Sequence, residues 1–266
     1  MGSRIAKRFI KASLGKFNLA LLDLNKNNGL GPFLPGHLKA VFAKLKINCV
    51  IDVGANIGGY GAMLRRTGYE GRIISLEPVS DVYDRLVRKA AHDKSWHTLN
   101  VACGSRNEAA AINVFDVSVH NSLLPPSENM SANIESTYVE RTENVTVKRL
   151  DSMFEEFVAG LAEPRVFLKI DTQGFDLEVV KGAGVCMQRI SAMQSEVSVI
   201  PLYEGMPDYI EALSVYRKLG FEPTGFFPIL NSPTSHHLVE FDAVLTRRAH
   251  PTPSAAAGSP IEQMVR

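Results

Sequence analysis

The sequence predicts an α/β fold: a seven-stranded, mostly parallel sheet with an antiparallel final strand and helices on both faces. Three observations carry this. From residue 47 onward, short apolar runs rich in β-branched residues alternate with longer stretches of helical period. The first run delivers an acid and then a glycine-rich turn, CVIDVGANIGG, which is how a buried parallel strand hands over to its crossover helix. The last two apolar runs have no helical period between them, so they pair as an antiparallel hairpin.

In chain order, residues 48–53 form the first strand, residues 54–59 the turn, and a helix runs through Arg66. Residues 72–76 form a strand closing on Glu77 and Pro78, and Ser80 is placed to cap a helix over 81–91. A third strand spans 97–101. Strands over 110–115 and 145–150 flank a polar insert at about 116–142, long enough to fold over a pocket as a lid. Residues 166–170 form the most apolar strand of the second half, and a helix starts at Asp176. A strand over 190–196, a helix over 208–219 and the closing pair 221–227 and 241–246 complete the domain, expected to span 47–248.

The 266 residues are 45% hydrophobic, ample for a packed core, which excludes intrinsic disorder and fibrous repeats. With 29 Lys and Arg against 28 Asp and Glu, no chain-wide basic field points to nucleic acid, and none is expected as partner. Three widely spaced cysteines form neither a disulfide framework nor a zinc pattern, which implies a reducing, cytoplasmic setting. Residues 1–46 read as an N-terminal helical segment. Its start is basic and amphipathic, with Arg4, Lys7, Arg8, Lys11 and Lys16 among Ile5, Phe9, Ile10 and Phe17. Such a segment packs on the domain or touches an anionic membrane, here the inner membrane surface. Residues 249–266, with three prolines and an alanine run, read as a flexible tail.

The turn after the first strand narrows the ligand. A dinucleotide fingerprint needs a glycine where Asn56 stands, and no Gly-Lys-Ser/Thr follows for a triphosphate. The loop suits instead a nucleoside without phosphates whose side arm carries an amine and a carboxylate. Asp52 can accept from the ammonium, Gly54 lets the backbone approach, and Gly58 continues the turn. Glu77, at the end of the second strand, can accept both ribose hydroxyls. Together these describe S-adenosylmethionine.

The segments VIDVGANIGGYGAMLRR, SLEP, NVACGS and above all LKIDTQGFDLEVVKGA resemble the FkbM-type methyltransferases, class I enzymes with a Rossmann-like sheet. The resemblance covers about residues 48–247. It implies methyl transfer to oxygen on a sugar, a macrocycle or another natural product. It also implies adenine contacts from Asn100, Val101 and Ala102, beside Pro78. Gln173 departs from the Glu common in the family.

Methyl transfer to an alcohol needs alignment and a group that takes or polarises the hydroxyl proton. Asp171, at the end of the fourth core strand and next to the first, is the leading base or magnesium ligand, with helix capping as its structural alternative. Glu196, ending the next strand, is expected to orient the acceptor or share the cation. His120, Asn121 and Ser122 in the insert are candidates for proton transfer and acceptor binding. Tyr203 and Glu204, in the loop over 197–207, are candidates to line the acceptor pocket. A glycolipid acceptor would suit the basic N-terminus. A nicotinamide-dependent oxidoreductase and a non-catalytic cofactor-binding scaffold are the competing readings.

Overall fold

The computed structural model describes residues 33–134 and 137–248. The N-terminal basic stretch and the tail therefore lie outside the described residues. The chain begins with helix α1 (Leu34–Leu45), then β1 (Cys49–Val53), α2 (Gly59–Arg66), β2 (Arg72–Leu76), α3 (Ser80–Ala90) and β3 (Trp96–Leu99). Next come β4 (Ala102–Cys103), β5 (Glu108–Phe115), α4 (Glu128–Asn133), β6 (Val139–Lys148) and α5 (Phe154–Val158). The last third holds β7 (Val166–Ile170), α6 (Asp176–Ala183), β8 (Ile190–Ser198), α7 (Tyr209–Lys218), β9 (Phe221–Asn231) and β10 (Leu238–Arg247).

Seven strands form the main sheet in the order β3-β2-β1-β7-β8-β10-β9, with β10 antiparallel to both neighbours. β1 and β7 are buried along their whole length because helices cover both faces, which is why each reads as an apolar run broken by one charged residue, Asp52 and Lys169. On one face Val50, Ile73, Phe167 and Val244 pack with Leu38 and Phe42 of α1, Leu64 of α2 and Leu86 of α3. On the other, Ile51, Ile74, Leu168 and Met193 pack with Phe154 of α5, Val179 of α6 and Tyr216 of α7.

Register decides where the chemistry lies. Val53 is level with Leu76 on one side and Ile170 on the other, so Gly54, Glu77 and Asp171 emerge together at one edge of the sheet. Gly54 is required there: at φ +76°, a Cβ would stand 1.8 Å from the Asp171 carbonyl oxygen. The approach it permits is between neighbouring strands as well as toward the cavity.

A second sheet, in the order β4-β6-β5, stands beside this edge. It revises three expectations. The strand expected over 97–101 divides: β3 stops at Leu99, Asn100 donates from Nδ2 to the carbonyls of Glu77 and Pro78 (2.9 Å each), and β4 joins the other sheet. The strand expected over 145–150 starts instead at Val139, because Phe115 pairs with Val139 and the ladder runs through a polar stretch that hides it from hydropathy. Ser80 does not cap α3 through its own side chain. Its N–H and hydroxyl both donate to Glu143 of β6 (2.9 and 2.6 Å), while Asp81 pairs with Arg141.

Candidate functional site

A cavity of about 370 Å³ opens at this edge, within the range usual for small-molecule sites. One wall is the main sheet's edge with Gly54, Asn56, Glu77 and Pro78. A second is apolar, from Val101, Ala102, Ile112 and Phe175, and a third is the insert, with Ser118 to Leu123. Asp171, Gln173, Glu196 and Glu240 line its polar end.

At the Glu77 end, one carboxylate oxygen accepts from Asn56 N–H (2.9 Å) and the other from Val79 N–H (3.0 Å). Burial pushes this acid up to about 7 against those two donors. It is therefore an acid that hydroxyl donors from a ligand would draw back toward ionisation. Asn56 sits at φ +47°, and its side-chain oxygen accepts from Ile57 N–H (2.7 Å) and from Ser118 Oγ (3.1 Å), which ties the insert to the first turn.

The polar end rests on a row of register partners across four strands: Ser75, Asp52, Lys169 and Gln194. Lys169 is 5% exposed, with Nζ 3.3 Å from Asp52 and 3.0 Å from Asp171 Oδ2. Tyr60 lies under it, 5.4 Å from ring centroid to Nζ, and its hydroxyl donates to Gln194 (2.9 Å). Burial disfavours the ammonium, but the charges of Asp171 and Asp52 outweigh that and keep it protonated.

At the front of this row Gln173, at φ +52°, donates from Nε2 to Asp171 Oδ1 (3.0 Å) and to Glu196 Oε2. Burial pulls Asp171 up, yet Lys169, with the Gln173 amide and Glu196 hydroxyl, holds it below the usual carboxylate range. Burial and the neighbouring Asp171 charge push Glu196 well above it. The two directions are opposite, so a proton held by the pair sits on Glu196 and the charge on Asp171. Glu240, 5% exposed, accepts from Ser198 Oγ (2.9 Å) and is pushed up to about 7 by burial. Burial lowers His120, so its imidazole is neutral at neutral pH.

Several expected site residues meet in this cavity: Gly54, Asn56, Glu77, Pro78, Val101, Ala102, His120, Asp171 and Glu196. Three do not. Asp52 is fully buried behind the wall, accepting from Ser75 Oγ (3.1 Å) and facing Lys169, so it supports Asp171 through the lysine and meets no ligand ammonium. Gly58, at φ +77°, turns toward α3, where a Cβ would come 2.8 Å from Leu86. Asn100 is spent on the carbonyls behind Glu77. Asp171 does not cap α6: no side chain caps that helix, and the Asp171 oxygens accept from Lys169 Nζ and Gln173 Nε2.

The magnesium reading fares worse. Among the described residues no three or more His, Cys, Asp or Glu side chains converge to hold a metal. The Lys169 ammonium already neutralises Asp171 and would repel a cation there, and the Gln173 amide donates to both acids. Of the second loop, Tyr203 is buried at the polar end and Glu204 is exposed.

Lys169, the roles of Gln173, and Glu240 escaped the sequence reading. Lys169 had a legible signal: a lysine inside the most apolar strand of the second half, two residues before the acid.

The profile of the methyltransferase FkbM domain matches residues 52–223. The chain belongs to the FkbM methyltransferase family. The Glu77 end, a buried acid beside an apolar wall, fits a nucleoside. Among curated proteins, methyltransferase sdnD of Sordaria araneosa is 29% identical over 154 residues, covering 50% of this chain and 59% of that protein. Among solved structures, the methyltransferase domain of bacterial CtHen1-C is 12% identical, with TM-score 0.43 over 81% of this chain and 97% of that one. The magnesium protoporphyrin IX methyltransferase of Synechocystis PCC 6803 is 10% identical, with TM-score 0.42 over 81% and 80%.

Proposed function

We propose that this FkbM methyltransferase acts on oxygen, methylating a hydroxyl of a small acceptor: a sugar, a glycolipid or another natural product. One observation carries the reading. An ionised carboxylate, Asp171, stands at the polar end of the cavity whose opposite end holds Glu77, so a nucleoside anchored at one end faces a proton acceptor at the other.

When bound, S-adenosylmethionine supplies an activated methyl group that needs only an aligned nucleophile. Glu77 would accept from its ribose hydroxyls, with Asn56, Pro78 and Gly54 beside that acid, while Val101 and Ala102 supply an apolar wall that would suit its base. Asp171 accepts a hydrogen bond from the acceptor hydroxyl and orients its lone pair toward the methyl group. Its proton affinity is low, held down by Lys169, so the hydroxyl proton would pass to Asp171 only as the C–O bond forms, the methyl–sulfur bond breaks and S-adenosylhomocysteine leaves with the electron pair. His120, neutral and on the cavity wall, is the second proton acceptor within reach of this space. Glu196, keeping its proton, leaves Asp171 as the charged member of the pair.

Cys49, Cys103 and Cys186 are free and buried, consistent with a reducing, cytoplasmic location, and we take residues 47–248 as the catalytic domain. Among the described residues no helix is long and apolar enough to cross a membrane.

Calorimetric titration with S-adenosylmethionine, S-adenosylhomocysteine and NAD, followed by labelled cofactor against a panel of hydroxylated sugars and natural products, tests the reading. The expected product is an alkali-stable methyl ether, formed by the wild type and lost in Asp171→Asn. Binding of NAD alone, or label recovered on nitrogen, carbon or a carboxyl ester, overturns it.

A further inference from the structure

Gln173 joins the insert, the loop after β8 and the acid pair, through its side chain and its backbone carbonyl together. Its amide oxygen accepts from Tyr203 Oη (2.9 Å), and its amide nitrogen donates to both Asp171 and Glu196. Its backbone carbonyl accepts from Ser122 Oγ of the insert (2.7 Å), and that hydroxyl in turn accepts from Leu124 N–H (3.0 Å). The Tyr203 hydroxyl also lies 2.9 Å from the His120 carbonyl oxygen, an acceptor on the same insert.

The orientation of the amide is not free. Tyr203 is 1% exposed, and its hydroxyl faces two carbonyl-type oxygens. The Asp171 carboxylate can only accept, so the amide turns its N–H groups to the acids and its oxygen to Tyr203. The left-handed backbone at φ +52° is rare for a residue with a side chain. It is the conformation that lets one residue show its carbonyl to Ser122 and its side chain to the acids. A carboxylate at this position would lack the two N–H groups and bring a second negative charge against Asp171.

We propose that Gln173 is a positioning residue that makes closure of the 116–124 insert over the cavity and alignment of the Asp171 and Glu196 carboxyl groups a single event, with Tyr203 as its pin. The insert cannot lift without taking Ser122 off the Gln173 carbonyl and the His120 carbonyl off Tyr203, and a released Gln173 frees both acids. The inference deepens the proposed function by assigning the same acids a positioning partner.

The test is Tyr203→Phe, which removes one oxygen from a buried ring, read in the apo protein and with S-adenosylhomocysteine. Hydrogen exchange at residues 118–124 is expected to quicken about fivefold, the effect of losing one neutral hydrogen bond, while exchange in β1 and β7 stays unchanged. The ¹³C carboxyl resonances of Asp171 and Glu196, assigned by their disappearance in D171N and E196Q, are expected to move, although Tyr203 donates to neither. Ser122→Ala, which releases the Gln173 carbonyl from the other side, is expected to do the same and serves if Tyr203→Phe does not fold. A looser insert with unmoved carboxyl resonances reduces Tyr203 to a loop anchor and overturns the coupling. Unchanged exchange and unchanged resonances overturn the pin itself. Failure of S-adenosylhomocysteine to bind the wild type would instead sink the functional assignment, and leaves both apo readouts able to judge the coupling.

Discussion

Lys169 offers the sharpest test of how the polar end is built, because it serves two carboxylates of different standing. Asp52 is fully buried and has Ser75 as its other polar neighbour, whereas the Asp171 side chain is 34% exposed at the cavity. Lys169→Met keeps the bulk of the side chain and removes its charge. Asp52 must then remain as an uncompensated buried anion or take a proton at neutral pH, and removing one partner of a buried pair costs about 3–5 kcal/mol. At about 2–4 °C per kcal/mol for a domain of this size, thermal unfolding should fall by roughly 6–20 °C. The gap to the wild type should narrow on acidification, since in this variant the folded pKa of Asp52 lies above its unfolded value and the contribution is lost as pH rises. In Asp52→Asn/Lys169→Met the buried anion is gone and Ser75 keeps its acceptor, so most of the stability should return. Methyl transfer should not return, because Asp171 still lacks its cation. Scanning calorimetry at pH 5 and 7.5 with the labelled-cofactor assay reads all of this. A double variant as unstable as the single one refutes the assignment of the cost to Asp52. A double variant with full turnover refutes the claim that Lys169 acts on Asp171.

Other consequences follow from the same geometry. Glu77→Ala should weaken S-adenosylhomocysteine binding about tenfold or more by removing a charge-assisted acceptor, and calorimetry showing unchanged affinity would place the ribose elsewhere. Because Glu77 is pushed up to about 7, wild-type affinity should fall as pH drops below 7, and this dependence should vanish in the variant. Asp171→Asn should lower turnover about a hundredfold with cofactor affinity nearly intact, whereas His120→Asn should cost less than about tenfold; the reverse order in steady-state kinetics would make His120 the base. Glu240, also pushed up to about 7, has a folded pKa above its unfolded value, so its contribution to stability is present at low pH and lost as pH rises through 7. Glu240→Gln should flatten part of the fall in unfolding temperature between pH 5 and 7.5, and parallel curves would show that another acid governs it.

How far the site could be read in advance depended on whether a residue's role is set along the chain or across the sheet. Glu77 and Asp171 were legible because each follows directly on a strand with an unmistakable apolar pattern, and parallel register then brings strand ends to one edge. Asp52 misled for the same reason: it sits in the strand and not after it, so pleating turns its carboxylate into the layer between sheet and helices, where Lys169 meets it. Lys169 and Glu240 belong to strands whose neighbours are fixed only by topology, and nothing local states that β10 will insert between β8 and β9 and deliver Glu240 to the Asp171 edge. The second sheet was half visible, since β5 alternates and β6 is polar along most of its length, its burial confined to Val145 and Val147. Gln173 marks the limit most clearly. As a departure from a family pattern it read as a lost carboxylate, yet its amide nitrogen donates to two acids, a role that exists only once the sheet has brought Asp171 and Glu196 to one edge and Tyr203, thirty residues on, has met the other end of the amide.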